Sequence, residues 1–524
     1  MRLPSTIIQL ALACALLIVR VPSLAQPMGG DQALYAYVGD QIRAGGLPYR
    51  DAWDQKPPAI HFLYAGLRTM WAGDGIVALA DVLAASLVAW FLYRIASASK
   101  QPTIGANAAL IFLFLSNPAF TRLGGLRLRA QCETFIAVLL VAALLMLVKH
   151  RDRPSTTSIV GAGALFGLAF TFKYNVAIFA VAGVVTLWLW RRLVITDVVK
   201  MTAGFCIPVI AMLGVFALGG ALRALYDATI LYNVQYSGGT YSGPLDAVRY
   251  LIAFPIDRAR ADALWTVGGA GCLILLAGAV PARDRRERLI PIVWVAAACL
   301  SIAINGSRSL PQYFIQANPF LALAAASGAA VAWTWIRQTF GRAPRGSIIA
   351  AVALVIVAIG VWRVNQFPKL VEQTVFDARR LTGQISRDEY LARYNDERKY
   401  SAIAGVKLGE YLGAHTAATD PVYVFGFTSS AYLHAQRTSA SRFFWSYPVI
   451  VGFQADEPGY GAPGVLADLT ARPPAIVALQ QQDWPDVVDS RTFFMSTPAL
   501  AGWLQSGYQH VSDGPQGFDV WVRR

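Results

Sequence analysis

Few residues in this chain can do ionic or acid–base chemistry, and the conspicuous ones fall in loops between apolar stretches. The first is Asp31, in Gly29-Gly30-Asp31-Gln32, shortly after an apolar run. An Asp following two glycines makes a good helix N-cap, which is its ordinary role. Next come Pro48-Tyr49-Arg50-Asp51 and Trp53-Asp54-Gln55-Lys56-Pro57-Pro58. Paired prolines stop a helix and set an extended turn. They would hold Lys56 rigidly near an interface; a solvated loop is the plainer reading. Arg122, Arg127 and Arg129 share one short loop with Glu133. Guanidinium groups match phosphate oxygens, so a lipid phosphate is one candidate occupant; snorkelling to the surface is the alternative. A carboxylate such as Glu133 at a membrane edge is costly unless paired or functional, and Arg127 or Arg129 is the simplest partner. Lys173 with Tyr174, and Arg308 with Gln312 and Tyr313, complete the set.

The elements that must position these groups are membrane spans. The 524 residues are 56% hydrophobic and 15% charged, with mean hydropathy +0.45. Soluble domains are roughly 45–50% apolar and about 25% charged. Disordered, collagen-like and ordinary soluble classes are thereby excluded. Apolar stretches long enough to cross a bilayer predict about eleven spans: 5–24, 76–95, 104–120, 133–149, 157–172, 176–190, 198–219, 262–281, 289–304, 313–335 and 346–363.

Charge orients them. With the N-terminus cytoplasmic, the inner loops hold Arg94 and Lys100; Lys149, Arg151 and Arg153; Arg191, Arg192 and Lys200; Arg283, Arg285, Arg286 and Arg288; and Arg337, Arg342 and Arg345. This is the positive-inside bias. It absorbs much of the net charge of +14, so no nucleic-acid partner is needed. The arginines of loop 121–133 run against that bias, and every candidate polar group lies on the outer side. The first span is expected to be retained, with a cleaved signal ending at Ser23-Leu24-Ala25 as the alternative.

Two outer regions stand out. In loop 26–75, Leu34, Tyr37, Val38, Gln41 and Ile42 fall at helical spacing, which predicts a helix lying in the membrane surface. Residues 364–524 are polar enough, and long enough, to form an α/β domain of their own outside the membrane. Strands are expected at 421–426, 475–479 and 518–522. The resulting division is a transmembrane domain over 1–363 and a soluble domain over 364–524.

Other motifs do less. The five cysteines are scattered and the five histidines show no metal-binding spacing. Gly161, Gly163 and Gly167 lie inside a span, where close helix packing explains them. Asp81 lies within the second span; a helix-pair role is the plainer reading, a transport path the other.

Read together, Asp31 opening a helix, Pro48-Tyr49-Arg50-Asp51, Asp54-Gln55-Lys56-Pro57-Pro58, Glu133 in Gln131-Cys-Glu-Thr-Phe135, and Pro311-Gln312-Tyr313 followed by Pro319 resemble a known family. These are the bacterial membrane glycosyltransferases related to protein O-mannosyltransferases and the aminoarabinose transferase of lipid A, in the C-type (GT-C) superfamily. The resemblance covers about residues 1–340, with a weaker echo at Val422–Gly426 and Ser441-Arg442-Phe443. It implies a polytopic α-helical membrane protein with a cavity at the outer face and inverting sugar transfer from a polyprenyl-phosphate donor. Asp31 would be the catalytic base, with Glu133 at the second acidic position. Lys56, with Arg127 and Arg129, would hold the donor phosphate. Tyr49, Asp54, Lys173, Arg308, Gln312 and Tyr313 would contact substrate. The acceptor would be a glycolipid, polysaccharide or protein. Two departures matter: Gln32 stands where a second acid is frequent, and Gln312 where a His is frequent. They argue against a tightly held divalent metal, and no cofactor is expected. Arginine far outnumbers lysine and alanine is abundant, which points to a GC-rich bacterium; a place in the bacterial inner membrane is what the resemblance implies. A transporter or flippase of lipid-linked sugars is the competing class; it would need mid-membrane charges and internal symmetry.

Overall fold

The computed structural model describes residues 5–120, 122–123, 126–279, 283–340, 366–396 and 400–524. Among these, seven helices are long and apolar enough to cross a membrane: Thr6–Ala25, Gly75–Ala98, Pro102–Phe120, Cys132–Asp152, Ile195–Leu218, Arg286–Ile304 and Pro311–Arg337. Three shorter apolar helices, Thr156–Phe170, Tyr174–Leu189 and Ala263–Gly278, join them. Ten of the eleven expected spans therefore fall on helices. The eleventh, 346–363, lies outside the described residues, as do Arg342 and Arg345. Large apolar side chains such as Leu83, Trp90, Val181, Ile207, Ile210 and Leu273 point outward, exposed. Helices apolar on their outer faces as well as their inner ones are satisfied by lipid.

The first helices are α1 (Ser5–Ile18), α2 (Gly30–Arg43), α3 (Ala59–Met70), α4 (Gly75–Ala98), α5 (Pro102–Leu115), α6 (Cys132–Asp152), α7 (Thr156–Phe170), α8 (Ile178–Leu189) and α9 (Ile195–Leu218). Helices α7 and α9 meet along glycines. A methyl at Gly163 or Gly167 would overlap the carbonyls of Met201 or Phe205, and one at Gly204 the carbonyl of Val160. Small residues let the two backbones touch, the packing expected for these positions. Asp81 of α4 is taken up by Arg20, just beyond α1, at 3.0 Å with both groups buried. Arg20 also donates to the Leu113 carbonyl of α5 at 3.1 Å. The mid-bundle acid thus has a fixed cation, which is the helix-pair role.

Helix α2 departs from its expected placement. Every residue from Gln32 to Gly39 is buried, whereas a helix lying in the membrane surface keeps a wet face. On one side α3 approaches so closely that a methyl at Gly39 would strike the Ala65 backbone. On the other, the Tyr37 hydroxyl accepts a hydrogen bond from the Ser439 N–H at 2.7 Å. The apolar stripe was correctly legible, but aromatic and small residues on the remaining faces are also covered.

The residues after 365 begin with a helix, Gln366–Leu381. Two-residue pairs occur at β1 (Arg122–Leu123) with β2 (Leu126–Arg127), and β3 (Asn395–Asp396) with β4 (Tyr400–Ser401). The main sheet has β5 (Val422–Phe425), β6 (Ile476–Gln480), β7 (Tyr508–Val511) and β8 (Phe518–Arg523) in the order β5-β6-β8-β7. Val422 pairs in parallel with Ile476, and Ile476 antiparallel with Val522. All of β5 and β6 is buried, so helices cover both faces and the strands read as continuous apolar runs. The three expected strands are present. The edge strand β7 was missed because Tyr508-Gln-His-Val has no strong alternation. One continuous apolar core runs from Met28 and the spans through to Val520 of the sheet.

Candidate active site

The site starts at the N-terminus of α2. Gly29, not Asp31, is the N-cap. Its N–H donates to the Gln32 side-chain oxygen at 2.7 Å, and the Gln32 amide donates to the Arg129 carbonyl at 2.5 Å. Gln32 therefore does the capping that the sequence suggested for Asp31. The Asp31 carboxylate, in the first turn, is left without a hydrogen bond or ion pair among the described residues. The helix N-terminus favours its negative charge.

Lys56 sits on a turn fixed from several directions. Tyr49 has a φ of 69°, a left-handed conformation that costs a non-glycine residue on the order of 1 kcal/mol. It is held there by full burial, and its hydroxyl donates to the Lys56 carbonyl at 2.7 Å. Asn233 donates to the Gln55 carbonyl at 2.7 Å, and the Gln55 N–H donates to Asp54 at 2.7 Å. The Trp53 N–H donates to the Arg442 carbonyl at 2.9 Å, and the Trp445 indole N–H to the Trp53 carbonyl at 3.0 Å. Tyr49 thus acts as a brace for the lysine turn rather than lining the cavity. Burial is the largest single influence on the Lys56 ammonium and lowers it, but Asp31, followed by Tyr313, Cys132 and Asp54, together outweigh it and hold the amine above its ordinary range.

Asp31 and Lys56 open into one cavity of about 600 Å³. Asp54, Arg127, Arg308, Gln312 and Tyr313 line it too. Burial pushes the Asp54 carboxyl up to about 7, only partly offset by Lys56. Its neighbour His61, 3.3 Å away, is pushed down to about 3 by burial; the imidazole is neutral. Arg308 stacks over the Tyr236 ring, 3.4 Å to its centroid. Gln312 is buried, with its side-chain oxygen unpartnered.

Glu133, Lys173 and Arg129 are not among the residues that line this cavity. Glu133 pairs with Lys173 at 2.5 Å, both buried, and neither Arg127 nor Arg129 is its partner. Lys173 also sits 4.3 Å from the Tyr313 ring centroid, so this pair supports a wall of the cavity. Arg127 lines the cavity but is bound to Asp377 at 2.6 Å. Arg129 does not reach the cavity lining: its guanidinium donates to the Ser23 carbonyl at 2.8 Å. Among the described residues, no group of three or more His, Cys, Asp and Glu side chains is placed to hold a metal ion. Of the acids nearest to such a role, Glu133 is paired with Lys173. Sequence reasoning missed the far wall, which is Phe427, Trp445, Tyr447 and Trp484 with Asp486. Its only signal was a run of aromatics in an otherwise polar region.

Residues 55–216 match the family described as dolichyl-phosphate-mannose-protein mannosyltransferase. No curated protein matches the chain. Among solved structures, ArnT from Cupriavidus metallidurans bound to undecaprenyl phosphate is similar at TM-score 0.56 and 16% identity, over 99% of this chain and 97% of that one. Its apo state gives 0.53 at 16% identity over the same shares, 99% and 97%. The oligosaccharyltransferase of Archaeoglobus fulgidus tethered with an acceptor peptide gives 0.50 at 13% identity, over 98% of this chain and 74% of that one. The chain is a multi-pass membrane protein that shares the fold of these solved structures, and its residues 55–216 are similar to the dolichyl-phosphate-mannose-protein mannosyltransferase family.

Proposed function

We propose that this protein transfers a sugar from a polyprenyl-phosphate donor to an acceptor on the outer side of a bacterial inner membrane, without a metal ion. The observation that supports this reading best is the pairing of a free carboxylate, Asp31, with an ammonium, Lys56, on one cavity. An acceptor hydroxyl is a poor nucleophile at neutral pH. Asp31 takes its proton as the oxygen attacks the anomeric carbon. The bond from that carbon to the phosphate oxygen breaks, the configuration inverts, and the polyprenyl phosphate leaves with the electron pair. Lys56 and Arg308 stabilise the charge that develops on it. Arg127 contributes less, since Asp377 already neutralises it, and Arg129 acts through the backbone it holds. Glu133, outside the cavity lining, orders Lys173 and Tyr313.

A second cavity supports this reading for the lipid tail. An apolar groove of about 330 Å³, lined by Pro58, Phe170, Met212, Leu225 and Ile230 among others, lies beside the Lys56-Pro57-Pro58 turn. A prenyl chain there would leave its phosphate at Lys56. Undecaprenyl phosphate, the lipid bound by ArnT, is the natural first donor lipid to try. A flippase reading loses Asp81, the main intramembrane acid in its favour, because that carboxylate is paired with Arg20.

The test is Asp31→Asn in purified protein supplied with labelled polyprenyl-phosphate sugars. Turnover should fall about 10²–10⁴-fold, the size of a general-base contribution, while undecaprenyl phosphate still binds. Retained turnover removes Asp31 from the role; no release of polyprenyl phosphate by the wild type removes the transferase.

A further inference from the structure

One wall of the cavity is not used by this chemistry. Phe427, Tyr447 and Trp484 are half-buried and line the cavity, with the exposed carboxylate of Asp486 on the same lining. The Trp484 ring centroid lies 4.6 Å from Tyr447 at 55° and 5.0 Å from Phe427 at 58°. The three rings meet at steep angles to form a shelf, and Tyr447 is backed by Trp445, whose ring lies parallel to it with centroids 6.3 Å apart. Phe427 reaches the catalytic helix itself: a methyl at Gly30, next to Asp31, would overlap its ring. The shelf and the proposed base therefore adjoin.

The shelf is also rigid. The Trp484 indole N–H donates to the Ser446 hydroxyl at 2.9 Å, and the Ser490 hydroxyl is 2.6 Å from that oxygen. Asp483 accepts from the Ser490 N–H at 3.0 Å, and Asp489 accepts from the Asp483 N–H at 3.0 Å. A loop of surface residues that served only as a cover would not need an indole locked from behind. Preorganised aromatic faces reduce the cost of binding.

We propose that Phe427, Tyr447 and Trp484 seat a sugar ring of the acceptor, with Asp486 accepting a hydrogen bond from one of its hydroxyls. A pyranose has an apolar C–H face and a polar rim. It meets both demands of this wall, a flat apolar surface and a carboxylate at its edge. An acyl chain satisfies only the rings, and the apolar groove at Pro58 already offers a better place for one. The acceptor class this selects is a saccharide, as glycolipid or glycan, and not an unglycosylated protein.

The inference rests on the transferase reading only for the word acceptor, and its test is independent of turnover. The full chain in lipid nanodiscs is probed by saturation-transfer NMR with methyl glycosides of glucose, galactose and mannose. Ring C–H protons of at least one glycoside should be saturated by the wild type. Trp484→Ala should weaken that signal about tenfold or more, near the worth of one good contact, and Trp484→Phe, which keeps a ring but no N–H, should retain it. Tyr447→Ala serves as a second variant should Trp484→Ala fail to fold. Absence of any glycoside signal from the wild type, or its persistence in both alanine variants, overturns the proposal. Equal loss in Trp484→Phe and Trp484→Ala does so too, since the ring face would then not be what binds. If Asp31→Asn leaves transfer intact while the wild type still shows the glycoside signal, the assignment of the base fails and the sugar seat stands.

Discussion

At the scale of single residues, function depends on which charges remain unspent. Asp31 is free because Gln32 closes the cap, and a Glu or Asp at 32 could not donate to the Arg129 carbonyl as the amide does. Lys56 is free because its turn is held through backbone atoms only. Lys56→Met should therefore raise the KM for the polyprenyl-phosphate donor about 10–100-fold, the worth of a charged hydrogen bond, as measured by donor titration. Lys56→Arg should rescue only part of it, because a planar fork does not replace a point charge. Asp54 supplies the pH dependence. With its carboxyl pushed up to about 7 by burial, it is neutral below that pH and adds a negative charge to the cavity above it. Undecaprenyl phosphate binding should weaken as pH rises through about 7, and Asp54→Asn should flatten that part of the profile. Equal pH profiles for the two proteins would remove Asp54 from the electrostatics of the site.

At the scale of elements, the spans were legible because lipid imposes one simple rule, a long apolar run. The order of motifs in loop 26–75 was legible for the same reason: the runs that flank it fix where it can lie. Pairings were harder. Glu133 and Lys173 are far apart in sequence, and only the packing of α6 beside the link from α7 to α8 brings them to 2.5 Å, so nearer arginines looked like better partners. Helix α2 looked half-wet because periodicity reports one apolar face, while its tyrosines and glycines turned out to meet neighbours as well. The aromatic wall gave least warning, since Trp445, Tyr447 and Trp484 come together only when β5 and β6 pair. Gly30 tests the closeness of these elements. Gly30→Ala should lower stability by about 1–3 kcal/mol, as overpacking does, read as a lowered thermal midpoint in detergent. An unchanged midpoint would mean that Phe427 does not rest on α2.

At the scale of the whole molecule, the membrane bundle and the region after residue 365 share one core and one polar seam. The Arg127–Asp377 pair is the centre of that seam. Asp377 also accepts from the Tyr390 hydroxyl at 2.7 Å and the Tyr394 hydroxyl at 3.2 Å. Asp377→Asn leaves a buried guanidinium without its counter-charge and should cost about 3–5 kcal/mol, measured by thermal unfolding. Asp377→Asn paired with Arg127→Met should recover much of the loss, because no buried charge is then orphaned.

The two bonds that join Trp53 to Arg442 and Trp445 extend this to evolution and engineering. The lysine turn hangs from a ceiling that belongs to the far end of the chain. Exchanging tail segments between relatives, to redirect which glycan is decorated, would tilt the anchoring turn unless both strands of that suspension travel together.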